Sequence, residues 1–359
     1  MTSATVNAAG GGAKVVYAVG LSRRKCSIVK RFLGDAVLHP IRDVCMAPAT
    51  AIVAVWGNDV ADPGALGGRR VLRIEDGFLR SVGLGADLTQ PLSLAVDTQG
   101  LYYDASRPSD LECILQETVF DEALQARAAR LTASIVDAGI TKYNVGSSHW
   151  ARPIGYMRVA LVVGQVESDA ALRYGAPGIC SNLALLQTVR RGCPDAYIIY
   201  KPHPDVVAGL RAKGSDASSC TRRWCDEVVT GVSMDRLLEQ VDEVHVLTSL
   251  SGFEALLRRR RVFTYGQPFY AGWGLTHDAL PHPRRTRMLT LDQLVAGTLI
   301  LYPRYVDPGT GKAMQAEDAL DMLIAQRDQR HAESSPKRLL RIAQRAMLRL
   351  SLRTLLGRR

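Results

Sequence analysis

The stretch KPHPD at 201–205 follows the apolar run AYIIY and sets a histidine between two prolines at what reads as a strand end. Proline fixes φ and removes an amide donor, so His203 would be held stiffly between Pro202 and Pro204, with Lys201 just before. Such an imidazole can donate to a phosphate or a base. A buried histidine bonded to a backbone carbonyl is the structural alternative. TSLSGFEALL (248–257) follows another apolar run and opens a helix. Thr248, Ser249 and Ser251, with Gly252, would offer hydroxyls and backbone N–H groups to an anion. A serine there is equally an ordinary helix cap. QVESD (165–169) places Glu167 and Asp169 two residues apart, on one side of an extended chain. EDG (75–77) supplies Glu75 and Asp76 at a further strand end. Carboxylates meeting over one cleft could act as nucleophile and base. A helix cap at Asp169 and a plain turn at EDG are the alternatives.

Two loops add further candidates. GQPFYAGWGLTHD (266–278), with Tyr270, is dense in glycine and aromatics. It can stack a base or a sugar, or fold back on the surface. RRTR (284–287) adds Arg284 and Arg285, or is simply a solvated basic loop. His245 lies inside a strand run and reads as a core position.

Elements must position these groups. Apolar, Val/Ile-rich runs occur at 15–20, 51–57, 71–74 and 92–97, and again at 159–166, 196–202, 243–249 and 261–266. Helix-like patterns at 121–138, 183–192 and 253–261 lie between or beside them, the first opening with acids as a helix N-terminus favours. Alternation of this kind predicts an α/β chain with parallel sheets covered on both faces. The Gly, Ser and Pro of NVGSSHWARPIG divide it near 144–158 into two Rossmann-like halves around a cleft. The expected layout is a flexible tail over 1–14, one unit over 15–148, a second over 155–330 and a terminal helix over 336–359. Ligands of open α/β sheets sit beyond the C-terminal strand ends. That rule selects EDG, ESD, HPD and SLSG.

The chain has 359 residues, 47% of them hydrophobic, which suits a two-domain globular protein. No apolar run approaches the ~18 residues of a membrane span, and the N-terminus lacks an apolar signal core. A cytoplasmic protein is therefore expected. The seven cysteines have no metal-like spacing, so no metal is expected and free thiols are. The net charge of +10 is concentrated in the last segment, where eight cations and no acid lie between Lys337 and Arg359. Arg341, Arg345, Arg349 and Arg353 recur at helical spacing opposite Leu339, Leu340, Ala343, Met347 and Leu350. A basic amphipathic helix of this kind suits an anionic membrane surface; no nucleic-acid-reading motif is present.

Taken in order, EDGFLRSVGLG (75–85), PLSLAVDTQGLYYDASRPSDLE (91–112), GQVESDA (164–170), YKPHPDV (200–206), VHVLTSLSGFEALL (244–257), PFYAGWGLT (268–276) and LILYPRY (299–305) resemble the capsule-polysaccharide Kdo transferases of Gram-negative bacteria, over about residues 15–325. These are retaining enzymes that add β-Kdo (3-deoxy-D-manno-oct-2-ulosonic acid) to a lipid anchor. The resemblance implies a GT-B-like fold, CMP-Kdo as donor, a Kdo-bearing lipid acceptor, no metal or other cofactor, and a place on the cytoplasmic face of the inner membrane. It implies that His203, Pro204 and Lys201, with Thr248, Ser249, Ser251, Gly252 and Glu254, hold CMP. Asp169, in a Q-x-x-x-D motif with Gln165, takes the nucleophile's part, with Glu75 and then Asp76 as base. Gln165, Arg80, Arg284, Arg285 and Tyr270 are candidates for the sugar or acceptor. Family members often carry two transferase modules. This chain holds one, and its GLSRRK (20–25) looks more like the second, so the resemblance leaves two expectations open: an N-terminal truncation with a sister or partner module, or a stand-alone module. Another CMP-sugar transferase, such as one for sialic acid, or a non-catalytic glycan-binding scaffold are the competing functions.

Overall fold

The computed structural model describes residues 14–332 apart from 59–63, 84–88, 143, 145, 147, 148, 210, 213 and 215–219. Residues 1–13 of the tail expected over 1–14, and the basic helix with Arg341, Arg345, Arg349 and Arg353, lie outside the described residues.

The strands are β1 Val15–Val19, β2 Val37–Ile41, β3 Ile52–Trp56, β4 Arg70–Asp76, β5 Ser93–Asp97, β6 Val159–Val163, β7 Tyr197–Lys201, β8 Glu227–Val228, β9 Glu243–Val246, β10 Arg261–Thr264, β11 His277–Asp278, β12 Arg304–Val306 and β13 Ala313–Met314. They form two sheets, one ordered β13-β12-β5-β4-β3-β1-β2 and the other β11-β10-β9-β6-β7-β8. The second sheet is parallel at each of its described pairings. Its central strand β6, VALVV, is buried throughout. A strand covered on both faces needs no polar alternation, which is why its sequence is an unbroken apolar run. The expectation of an α/β chain with two sheet-based units is met.

The first sheet departs from the parallel expectation. β4 and β5 are antiparallel, as are β5 with β12 and β12 with β13. No helix lies among the described residues of 77–92, so β5 turns back beside β4 instead of crossing over. The boundary at 330 is also corrected. After the second sheet the chain returns to the first, adding β12 and β13 at its edge. The helix Ala316–Ala332 then packs beside the helix Glu122–Asp137, where Arg127 Nε meets Glu317 Oε1 at 2.7 Å. The helix expected at 253–261 runs instead over Leu250–Leu257. It stops because Arg259 adopts φ +56° and Arg261 already begins β10.

An aromatic seam joins the units. Phe78, just after β4, lies 4.7 Å from Phe269 and 4.8 Å from Tyr102, centroid to centroid, with Phe253 and Tyr302 at 6.4 and 6.3 Å. Burying such rings contributes roughly 1.5–3 kcal/mol each. Beside the seam, Glu112 of the helix Asp110–Glu117 takes Arg284 Nε at 2.6 Å and Arg285 Nε at 3.0 Å. That clasp ties the 266–287 loop of one unit to a helix of the other.

Candidate active site

Between the sheets lies a cavity of about 1190 Å³, lined by residues at or after the C-terminal ends of β1, β3, β4, β6, β7 and β9. Strand ends of both units thus converge on one space, as the strand-end rule requires.

On the wall of the second unit, Asp169 lines the cavity. It occupies the N-cap position of the helix Ala170–Gly175, yet its side chain makes no cap bond. The capping alternative is thereby set aside. Glu167, its partner in the sequence reading, turns away: Glu167 Oε1 accepts from Asn182 N at 2.8 Å, at the start of another helix. Gln165 is buried and clamps Thr248. Its Nε2 donates to Thr248 Oγ1 at 3.0 Å and its Oε1 accepts from Thr248 N at 2.8 Å. This pair locks the ends of β6 and β9 together beside Asp169.

His203 lines the same wall. Its Nδ1 accepts from Asp205 N at 3.1 Å, which assigns the ring proton of the neutral imidazole to Nε2. Burial, then the charge of Lys142, lowers its pKa to about 4. His203 is therefore a neutral donor across the physiological range. Pro204 begins the short helix that His203 caps and also lines the cavity. Lys201 Nζ donates to Val232 O at 2.5 Å, and burial lowers its pKa to about 8. Ser249, Leu250 and Ser251 bring the start of the helix Leu250–Leu257 to the cavity. Ser249 caps that helix in the ordinary way, its Oγ accepting from Ser251 N at 3.3 Å. The cap reading holds for it, and a cap residue sits where an anion would.

On the opposite wall, Glu75 and Asp76 end β4. Asp76 Oδ2 takes Arg80 Nε at 2.6 Å. Glu75 is pushed up to about 7, first by burial and then by the Asp76 charge, with Lys142 and Lys25 pulling the other way. A carboxyl poised near neutrality can accept a proton from a hydroxyl and release it again.

Several expected ligands are placed elsewhere. Tyr270 is fully buried, its hydroxyl donating to Ser249 O at 2.5 Å, so it supports the helix start from behind instead of contacting a sugar. Gly252 faces that same tyrosine: a Cβ there would lie 2.3 Å from the Tyr270 hydroxyl, so the glycine serves packing, not CMP. Arg284 and Arg285 do not line the cavity, because Glu112 and the carbonyls of Pro268 and Ala271 engage them. Glu254 reaches the cavity, but its Oε1 accepts from Lys142 N at 2.6 Å and so anchors the chain between the units.

The structure adds Arg24, Lys25, Trp56, Lys142, Asp205 and Arg211 to the lining. Arg24 and Lys25 lie in the first turn of the helix that follows β1, so the strand-end rule reaches them once GLSRRK is treated like the other strand ends. Lys142 carried no sequence signal; it lies in the crossing between units. Away from the cavity, Cys193, Glu243 and His245 cluster in the core. Glu243 there pairs with Arg158 at 2.8 Å and with His245 Nε2 at 3.0 Å. A buried carboxylate so paired is an ion network of the core.

A family model described as capsule polysaccharide biosynthesis protein matches residues 65–156 and 154–305. The chain is 50% identical over 324 residues to the capsule polysaccharide modification protein LipA of Neisseria meningitidis serogroup A, covering 87% of this chain and 46% of that protein. It is 44% identical over 265 residues to the lipopolysaccharide-processing protein LpsZ of Rhizobium meliloti, covering 71% and 59%. The chain thus spans about half the length of the curated relatives it matches. Among solved structures, Thermosulfurimonas dismutans KpsC, beta Kdo 2,7 transferase, superposes with a TM-score of 0.74 at 37% identity, over 87% of this chain and 99% of that one. The beta Kdo 2,4 transferase of the same KpsC gives 0.74 at 33% identity, over 87% and 98%.

Proposed function

This chain belongs to the capsule polysaccharide biosynthesis protein family, and from that premise we propose that it is a retaining glycosyltransferase moving β-linked Kdo from CMP-β-Kdo to a Kdo-bearing glycolipid. The observation that carries this reading is the gathering of Asp169, His203, the Ser249 helix start and Glu75 around one cavity. The likeness to two structures titled as β-Kdo transferases supports the choice of sugar.

In this reading CMP lies against the second unit. His203 Nε2–H and the helix start at Ser249 receive the phosphate, and the positive end of the helix favours its charge. Asp169 attacks the anomeric carbon as the bond to the phosphate oxygen breaks, CMP leaving with the electron pair. The configuration inverts and a glycosyl ester forms. The acceptor hydroxyl then gives its proton to Glu75 and displaces Asp169, inverting again. Two inversions return the β configuration. CMP is a stable anion, so its departure needs hydrogen bonds and no strong acid. The basic stripe of Arg341, Arg345, Arg349 and Arg353 is assigned to anionic lipid; no helix among the described residues is long and apolar enough to cross a membrane.

Intact-mass measurement after incubation with CMP-Kdo tests the mechanism. The wild type should carry one Kdo, and Asp169→Ala should carry none and lose transfer while melting normally. Transfer by Asp169→Ala at the wild-type rate would remove it as nucleophile. Equal use of CMP-Kdo and CMP-sialic acid would overturn the choice of donor.

A further inference from the structure

One short segment, just after β5, grips both walls of the cavity. Tyr102 and Tyr103 line the cavity side by side, their ring centroids 5.5 Å apart. Tyr102 holds the wall of the base. Its hydroxyl donates to Asp76 O at 3.1 Å, at the end of the strand that carries Glu75. Its ring meets Phe269 edge-on and lies 4.8 Å from Phe78, so close packing leaves it little freedom to turn. Tyr103 holds the wall of the nucleophile. Its ring lies 6.4 Å from that of Tyr174, in the helix Ala170–Gly175 that Asp169 begins. Ala105 N donates to Tyr174 O at 3.2 Å, and a Cβ on Gly175 would lie 2.9 Å from Tyr103 O, so the two backbones touch. Arg284 Nη2 also donates to Ala105 O at 2.9 Å, a second hold on the segment from the second unit. Burial first, then the charges of Glu75 and Asp76, and after them Tyr103 and Asp169, keep the Tyr102 phenol well above its usual range. Tyr102 is therefore a neutral donor standing in the field of both carboxylates.

We propose that Tyr102 and Tyr103 are positioning residues that set the gap between Glu75 and Asp169, and so govern the second displacement but not the first. The proposal rests on the transferase reading above and deepens it. The first displacement uses Asp169, His203 and the helix start at Ser249, all on the second unit, so the stance of the first unit does not enter it. The second displacement spans the gap. The acceptor oxygen bonds to the anomeric carbon as the bond to Asp169 breaks. The electron pair returns to the Asp169 carboxylate and the proton passes to Glu75. A base displaced by ~1 Å from that hydroxyl costs on the order of 10²-fold in rate. A segment bonded to the strand end of Glu75 and packed on the helix of Asp169 passes any loosening at either ring into this gap.

The experiment uses the whole protein, CMP-Kdo and an alkyl glycoside of Kdo as acceptor, with the variants Tyr102→Phe and Tyr174→Leu. The first removes only the hydroxyl that holds Asp76 O. The second removes the ring that meets Tyr103 from a residue that does not line the cavity, so it acts without substrate contact. Rapid quench reads the CMP released in the first turnover, steady-state assay reads transfer, and intact mass reads the fraction of chains carrying Kdo during turnover. Each variant should bind CMP as the wild type does and release its first CMP within about twofold of the wild-type rate. Transfer should fall about 10–100-fold, and the Kdo-bearing fraction should rise towards one per chain. General loss of structure would slow both steps together, so a first CMP release slowed as much as transfer overturns the proposal. Transfer at the wild-type rate in both variants overturns it as well. Slow first release in Tyr102→Phe alone would make that hydroxyl a donor contact and overturn its positioning part. If one variant does not fold, the other carries the same readings. A wild type that releases no CMP from CMP-Kdo with the acceptor present would instead overturn the transferase reading itself.

Discussion

Replacing Glu75 with Gln should stabilise the protein at alkaline pH while sharply slowing transfer. The carboxyl is raised from 4.5 to about 7 by burial first and by Asp76 second. The folded state thus holds this proton more tightly than the unfolded chain does. Between the two values stability falls as pH rises; the penalty is absent below the lower value and complete above the upper one. A rise of that size corresponds to ~3 kcal/mol against the ionised form. Partial exposure to the cavity's water screens it to an expected ~1–2 kcal/mol. Glutamine has the same shape and no charge, so it escapes the penalty. Urea denaturation of Glu75→Gln and wild type should therefore differ by ~1–2 kcal/mol in favour of the variant at about pH 8, and hardly at all at about pH 4. Loss of the base should lower kcat by about 10²–10⁴-fold. In the wild type, kcat/KM should rise with pH and level off above about 7, where Glu75 is ionised. A variant no more stable than wild type at the higher pH, or one that keeps the same activity profile, would refute the assignment of a strained buried base.

Other perturbations separate binding from support. His203→Ala should weaken CMP binding about tenfold by calorimetry, equally at pH 6 and pH 8, because its pKa of about 4 keeps the ring neutral at both. Glu112→Ala leaves the buried Arg285 without its carboxylate, so stability should fall by ~3–5 kcal/mol in denaturant titration. Tyr270→Phe should cost about 1 kcal/mol of stability through the lost bond to Ser249 O, with the acceptor KM unchanged; a large rise in that KM would return Tyr270 to the acceptor site.

The sequence by itself determined the central strands and the ends at which they reach the cavity. β6 and the centre of β7 are apolar because they are buried, and residues just after these two strands and after β9 face the cavity. Asp169, His203, Ser249 and Glu75 were legible for that reason: local pattern fixes where a strand stops, and open α/β sheets place ligands there. Side chains whose positions depend on distant partners were not legible. Arg284 and Arg285 look like free cations in RRTR, but Glu112, far away in the chain, claims both. Tyr270 and Gly252 look like ligand residues in their motifs, yet they face each other behind the helix start. The antiparallel β5 and the return of β12 and β13 to the first sheet also escaped periodicity, because a strand's pattern records its burial and not its direction or its neighbour. Tertiary structure alone decided that Lys142 stands between the walls and that Arg24 and Lys25 share a wall with Glu75. Those contacts join segments that no local pattern connects, and the packing of the two units against one another creates them.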